Sequence, residues 1–215
     1  MLVNIDSFDE GKISFSIIKH NKEIQILYNG EEFLLESPEN LTSFGLNENI
    51  SLKKDLTGYK LPVLLWSKNF IREEEIKFIT ILNKITEKVK AYVKNEIFLK
   101  NKNLKSLNPI YYKTIEGDFP RTKAPKLFLK CIYNRANKKI ETIFIDQETH
   151  REVNPFTCLR QKIRAKLSIK IDSILIKEDK IDISLKLKEC FFKKVKHNSL
   201  SLLCPHIDLS KIVTT

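Results

Sequence analysis

The chain has 215 residues, of which 42% are hydrophobic and 30% charged, a balance that builds a globular core and excludes collagen-like and wholly disordered classes. No apolar run approaches the ~18–20 residues needed to span a bilayer, and the start lacks a cationic segment followed by an apolar one, so a soluble, non-secreted protein is expected. The net charge of +11 is unevenly spread: residues 1–76 hold 8 Lys and Arg against 13 Asp and Glu, and residues 77–215 hold 30 against 14.

Ile13, Phe15 and Ile17 alternate with polar residues and predict a first strand. Ile24–Tyr28, then Asn29-Gly30, then Glu31–Glu36 is a hairpin signal, because Asn-Gly tolerates the positive φ angles of a type I′ turn. Leu61–Trp66 reads as a buried strand. From Arg72 to about Lys100 the period changes: Ile76, Ile79, Leu82, Ile85, Val89, Tyr92 and Val93 recur at helical spacing, with Glu73, Glu74 and Glu75 in the first turn and Lys100 and Lys102 near the end. Strands return at Lys126–Tyr133 and Lys139–Asp146 around the turn Asn134–Asn137, and Pro155 suits the first position of a short helix.

Two long strands follow. In the first, Ile163, Ala165, Leu167, Ile169 and Ile171 face one way. In the second, Ile181, Ile183, Leu185 and Leu187 face inward and Asp182, Ser184, Lys186 and Lys188 outward, with 177–180 as the connection. No Gly-, Ser- or Pro-rich stretch divides the chain, so a single domain over 1–215 is expected, with 72–100 an inserted helix and 197–215 a C-terminal tail. The string predicts a mainly β (α+β) fold, an OB-like Greek-key β-barrel with one long inserted amphipathic helix; a two-layer α+β sandwich would read nearly the same.

Catalytic signals are missing: there is no phosphate-binding glycine loop, no His-Glu-x-x-His and no Gly-x-Ser-x-Gly, so the chain is read as a non-enzyme. Cys131, Cys158, Cys190 and Cys204 lie far apart, as in reduced thiols of an intracellular protein. Cys190, His197, Cys204 and His206 are zinc-type ligands close in sequence, but their spacing matches no common finger or ribbon, so ordinary buried thiols are the reading and no cofactor is expected.

Codon bias toward Lys, Ile and Asn would not leave the first third acidic, so the charge asymmetry indicates a polyanion-binding surface in the second part. Basic residues there interleave with aromatics: Tyr111, Tyr112, Lys113, Arg121, Lys123, Lys126, Lys130, Tyr133 and Arg135, and, on the outward faces of the last two strands, Arg164, Lys166, Lys170, Lys186 and Lys188. Cations that track phosphates beside rings that stack on unpaired bases suit single-stranded nucleic acid. The alternative is a virion structural or packaging protein whose basic face meets genome or an acidic partner.

The order of segments resembles a known family. Glu36-Ser-Pro38, Ser43-Phe-Gly-Leu46, the long helix, Asn108-Pro-Ile-Tyr-Tyr-Lys113, Phe119-Pro120, Lys126-Leu-Phe-Leu129, an acidic turn at Asp146 and the two closing strands follow one another over residues 24–196 as in the OB-fold single-stranded-DNA-binding proteins of nucleocytoplasmic large DNA viruses, which are similar to the replicative binding proteins of certain tailed phages. The resemblance implies a role in viral DNA replication, recombination and repair, with single-stranded DNA and the viral polymerase or primase-helicase as partners and the host cytoplasm or virion as location, and it leaves a homodimer open. Two departures stand out: no acidic tail follows Glu189, and Ile174–Lys180 replaces an aromatic pair and glycine-rich turn.

Overall fold

The computed structural model describes residues 1–18, 23–51, 54–66, 71–95, 107–112, 124–176 and 181–195. Strands dominate: β1 (Leu2–Val3), β2 (Ile13–Ile18), β3 (Glu23–Tyr28), β4 (Glu31–Glu32), β5 (Leu34–Glu36), β6 (Leu41–Ser43), β7 (Asn47–Ile50), β8 (Leu56–Leu64), β9 (Ile110–Tyr111), β10 (Lys126–Cys131), β11 (Tyr133–Asn134), β12 (Lys139–Ile140), β13 (Ile143–Asp146), β14 (Ile163–Ile176) and β15 (Ile181–Lys194). One α-helix, α1 (Glu73–Asn95), interrupts them among the described residues. All strands but β11 and β12 belong to one sheet.

The sheet closes on itself. β14 pairs with β6, β6 with β8, β8 with β10, β10 with β15, and β15 returns to β14. A closed ring removes the unpaired edges that an open sheet presents to other chains. The inward residues of the last hairpin form its lining: Ile163, Leu167, Ile169, Ile171, Leu187 and Cys190 are all fully buried. Two register shifts in the hairpin, between Ser168 and Ile169 and between Ile171 and Ser173, bend it, as bulges do. Beyond the second shift the expected alternation fails on β15: Ser184 is buried while Ile183 is half-exposed.

The local signals explain their elements. Asn29 and Gly30 have φ of 52° and 78°, the values a type I′ turn requires, and Leu27 pairs with Glu32 across it. β5 then leaves the hairpin to pair with β1 and β14. The strand expected at Leu61–Trp66 starts earlier, at Leu56, and ends at Leu64. Lys139–Asp146 is split in two, because Thr142 turns inward; its Oγ1 accepts from Ile132 N and donates to Leu187 O at 2.8 and 2.7 Å. The segment after Asn154 is a single 3-10 turn, Pro155–Cys158.

Helix α1 buries Phe78, Ile81, Leu82, Ile85, Val89 and Val93 on one face. Its start is fixed by Glu75, which is 2% exposed: the carboxylate accepts from the Arg72 backbone N–H (3.0 Å) and guanidinium, and Arg72 Nη2 also donates to Glu39 O. A capping contact thus ties the helix to the loop between β5 and β6. The expected continuation to about Lys100 falls outside the described residues.

Gly45 is where backbone meets backbone. Its φ is 86°, and a Cβ there would overlap Cys158 O and the Gln161 backbone. Gly30 also has a positive φ, 78°, but open space around it. Gly45→Ala is therefore expected to cost about 3 kcal/mol, seen as a fall of roughly 6–12 °C in Tm, and Gly30→Ala only about 1–2 kcal/mol. Equal losses in thermal unfolding would remove the steric argument.

Candidate nucleic-acid interface

Alternation on β10 sends Leu127, Leu129 and Cys131 into the ring and leaves Phe128 and Lys130 exposed. Phe128 stands opposite Pro62 of β8, Lys126 opposite Tyr111 of β9, and Lys130 opposite Lys60 of β8. The rings of Tyr111 and Phe128 meet edge to face at 6.1 Å, and Lys60 Nζ sits 5.7 Å from the Phe128 centroid. Phe128 remains 43% exposed, and Tyr111 and Tyr112 are 50% exposed. Two aromatics, Tyr111 and Phe128, thus lie on the outside of the sheet beside Lys126, with the exposed Tyr112 next in the chain.

The same face carries a row of like charges. Lys130 lies opposite Lys60 on one side and Lys186 on the other, across three adjacent strands. Directly opposed like charges destabilise a sheet. Asp172 offsets one of them, its Oδ2 lying 2.7 Å from Lys186 Nζ. Among the described residues no carboxylate pairs with Lys60, Lys126 or Lys130.

Elsewhere the expected basic face is internally neutralised. Lys166 Nζ lies 2.8 Å from Glu36 and 3.7 Å from Glu39; Lys170 Nζ lies 2.7 Å from Glu32 and 3.1 Å from Asp172. Hydrogen bonding to Glu36 holds the Lys166 ammonium above its ordinary pKa. Desolvation acts against the charge on Lys170, but its bonds to Glu32 and Asp172 outweigh that and raise it. The Lys170 bond lowers Glu32; Asp172 is lowered too, its lysine partners overcoming desolvation. This network is intact at neutral pH; it is lost as pH falls through and below the ordinary carboxylate range, and at the alkaline end as pH rises through the raised lysine values.

Arg164 is also engaged, donating to Asn40 O and to Thr42 Oγ1 at 3.2 and 2.6 Å. Lys188 is half-buried at the first register shift. Tyr133 and Arg135 belong to the small β11–β12 hairpin beyond β10, Tyr133 half-buried and Arg135 exposed. Lys113, Arg121 and Lys123 lie outside the described residues. The structure therefore brings Tyr111, Lys126 and Lys130 together, leaves Tyr112 exposed just past the end of β9, and adds two residues the sequence reading left out, Lys60 and Phe128. Phe128 was detectable as an apolar residue on the outward phase of its strand. Lys60 required the strand register.

The family described as "Protein of unknown function (DUF2738)" matches residues 11–213. The chain belongs to this family. No curated protein matches this DUF2738 chain. Among solved structures it is similar to the single-stranded DNA-binding protein from bacteriophage Enc34 in complex with ssDNA, at 12% identity over 86% of this chain and 96% of that one, TM-score 0.44. It is also similar to gp2.5, a single-stranded DNA binding protein encoded by bacteriophage T7, at 13% identity over 76% and 87%, TM-score 0.46.

Of the zinc-type residues, Cys190 is fully buried on β15, while His197, Cys204 and His206 lie outside the described residues. Burial pushes the Cys131 thiol up to about 12 and the Cys158 thiol up to about 11, and raises Cys190 well above its ordinary value. Thiolates are the reactive form, so in the native protein at pH 8 an aromatic disulfide reagent should titrate at most one of the four cysteines rapidly, and all four after denaturation. Rapid reaction of two or more native thiols would contradict this burial.

Proposed function

We propose that this chain is a non-catalytic, sequence-independent single-stranded-DNA-binding protein with an OB-like barrel, and that DNA lies across β8, β9 and β10. The observation that carries the reading is the opposed pair Lys60–Lys130 beside the exposed rings of Phe128 and Tyr111. The like-charge contact and the solvated rings both cost stability, and a single strand relieves both: phosphates neutralise the lysines and unpaired bases cover the rings. A duplex offers the phosphates but keeps its base faces stacked on one another.

The order of sequence segments supports placing this activity in viral DNA replication, recombination and repair, with the viral polymerase or primase-helicase as partner and the host cytoplasm at replication sites as location. No helix of the described residues is long and apolar enough to cross a membrane. The lack of catalytic motifs supports binding without turnover, and incubation of labelled DNA with magnesium or manganese should leave it intact.

Titration of fluorescent oligonucleotides at several salt concentrations tests the reading. Single strands should bind more tightly than duplex. Phe128→Ala should cost ~1–3 kcal/mol with little change in salt slope, and Lys130→Ala should flatten the slope of log affinity against log salt by about 0.7. Lys166→Ala should leave the slope unchanged, because its charge is already paired with Glu36. Equal affinity for duplex, with Phe128→Ala silent, would favour the virion structural or packaging role instead.

A further inference from the structure

A second aromatic cluster lies one residue away along β8. Tyr59 precedes Lys60, and its ring meets Tyr133 edge to face at 5.5 Å and Phe156 at 5.3 Å. Tyr59 is buried, Tyr133 is half-buried, and Phe156 is 45% exposed. Consecutive strand residues point to opposite faces, so this cluster sits round the strand from the Phe128 platform, at the end of the ring where β10 runs into β11.

Phe156 is not exposed because its segment is loose. Asn154 Oδ1 accepts from the Phe156 N–H at 3.0 Å, Thr157 Oγ1 donates to Asn154 O at 2.8 Å, and Leu46 N donates to Cys158 O at 2.9 Å. The turn is clamped from both sides and still presents a phenyl ring to solvent. Facing it is the β11–β12 turn, where Asn134 Oδ1 accepts from the Ala136 N–H and Asn137 Oδ1 from the Lys139 N–H, at 3.1 Å each. That turn exposes Arg135, Lys138 and Lys139.

Between the two turns is a cleft of about 910 Å³, lined among others by Phe156, Lys138, Lys139, Asn154 and Glu141. The Glu141 carboxylate is engaged by Asn134 Nδ2 at 3.1 Å. Its walls carry charges of both signs, which suits a neutral heterocycle with amide-like edges better than a phosphate. The exposed cations lie on the rim. A ring, an adaptable polar wall and a cationic rim are what a nucleotide needs: stacking for the base, hydrogen bonds for its edge, and counter-charge for the phosphates on either side.

We propose that Phe156, with Tyr133 and the Arg135–Lys139 turn, is a second stacking subsite for a single-strand base, reached by DNA that passes from the Phe128 platform over the Tyr59–Lys60 segment of β8. This rests on the single-strand reading above and extends it: the site has two platforms, so its affinity depends on strand length. The second platform engages only strands long enough to reach round β8.

The test titrates 3′-labelled oligothymidylates, from about 4 to about 16 nucleotides, against the wild-type chain, Phe128→Ala, Phe156→Ala and the double variant Lys138→Ala/Lys139→Ala, with Tm measured for each. Phe128→Ala should weaken every length. Phe156→Ala should spare the shortest strands and weaken the longest by roughly 5- to 140-fold. The double lysine variant, which alters only exposed residues of the β11–β12 hairpin, should lower the salt slope by about 1.4 for the longest strands and not for the shortest.

Unchanged affinity and slope at all lengths in both the Phe156 and the double lysine variants would overturn the second subsite. If Phe156→Ala lowers Tm sharply, the lysine variant decides alone. A silent Phe128→Ala with a length-dependent Phe156→Ala would overturn the first platform and support this one.

Discussion

Strand β14 is the constraint on which the structure depends. Its fourteen residues pair with β15 along one edge and, along the other, with β6, β5 and β3 in turn. One strand therefore places the first third of the chain, which supplies three of its neighbours, and joins the two ends of the ring. Its inward side chains have almost no freedom: Ile163, Ala165, Leu167, Ile169 and Ile171 are buried at 0–1% exposure. Side chains packed on both strand edges resist rearrangement, since interiors are close-packed.

The same placement decides the electrostatics. By pairing with β5, β14 brings Lys166 and Lys170 against Glu36 and Glu32, so the acidic first third covers these two lysines of the closing hairpin. A chain of net charge +11 would otherwise attract polyanions from many directions. Besides Lys188 and the exposed Lys193 and Lys194 of β15, the lysines of the described sheet left without a carboxylate partner lie on the side where β8 and β10 meet. Exposed rings are found there too, and a hydrophobic surface next to unpaired cations is a costly arrangement unless a ligand uses it. The ion pairs on β14 contribute little stability individually, because most of their members are partly solvated; their larger effect is on where charge remains.

Much of the fold was legible locally. The Asn29-Gly30 turn and the alternation from Ile163 to Ile171 each depend on neighbouring residues and form as the pattern implies, and the helical stripe read from Ile76 to Val93 forms except at its start, where Ile76 is 53% exposed and Phe78 and Ile81 are buried instead. The bulges were not legible, since nothing local marks Ser168 or Asp172 as a place where the count against β15 slips. The basic surface was legible only in part. Lys166 reads as an outward, free cation in its own strand, and its carboxylate partners are some 130 residues away in sequence. Lys60 reads as an ordinary lysine in an acidic segment until register sets it against Lys130 and over Phe128.

The central claim is one of sidedness: single-stranded DNA meets the outer face of β8–β10 and not that of β14. Photocross-linking of the full chain to bromodeoxyuridine-substituted single strands, followed by mass spectrometry of the peptides, reads it directly. Cross-links concentrated in residues 107–112 and 126–133 are the predicted result. Cross-links concentrated in residues 163–176, with those segments unlabelled, would contradict it.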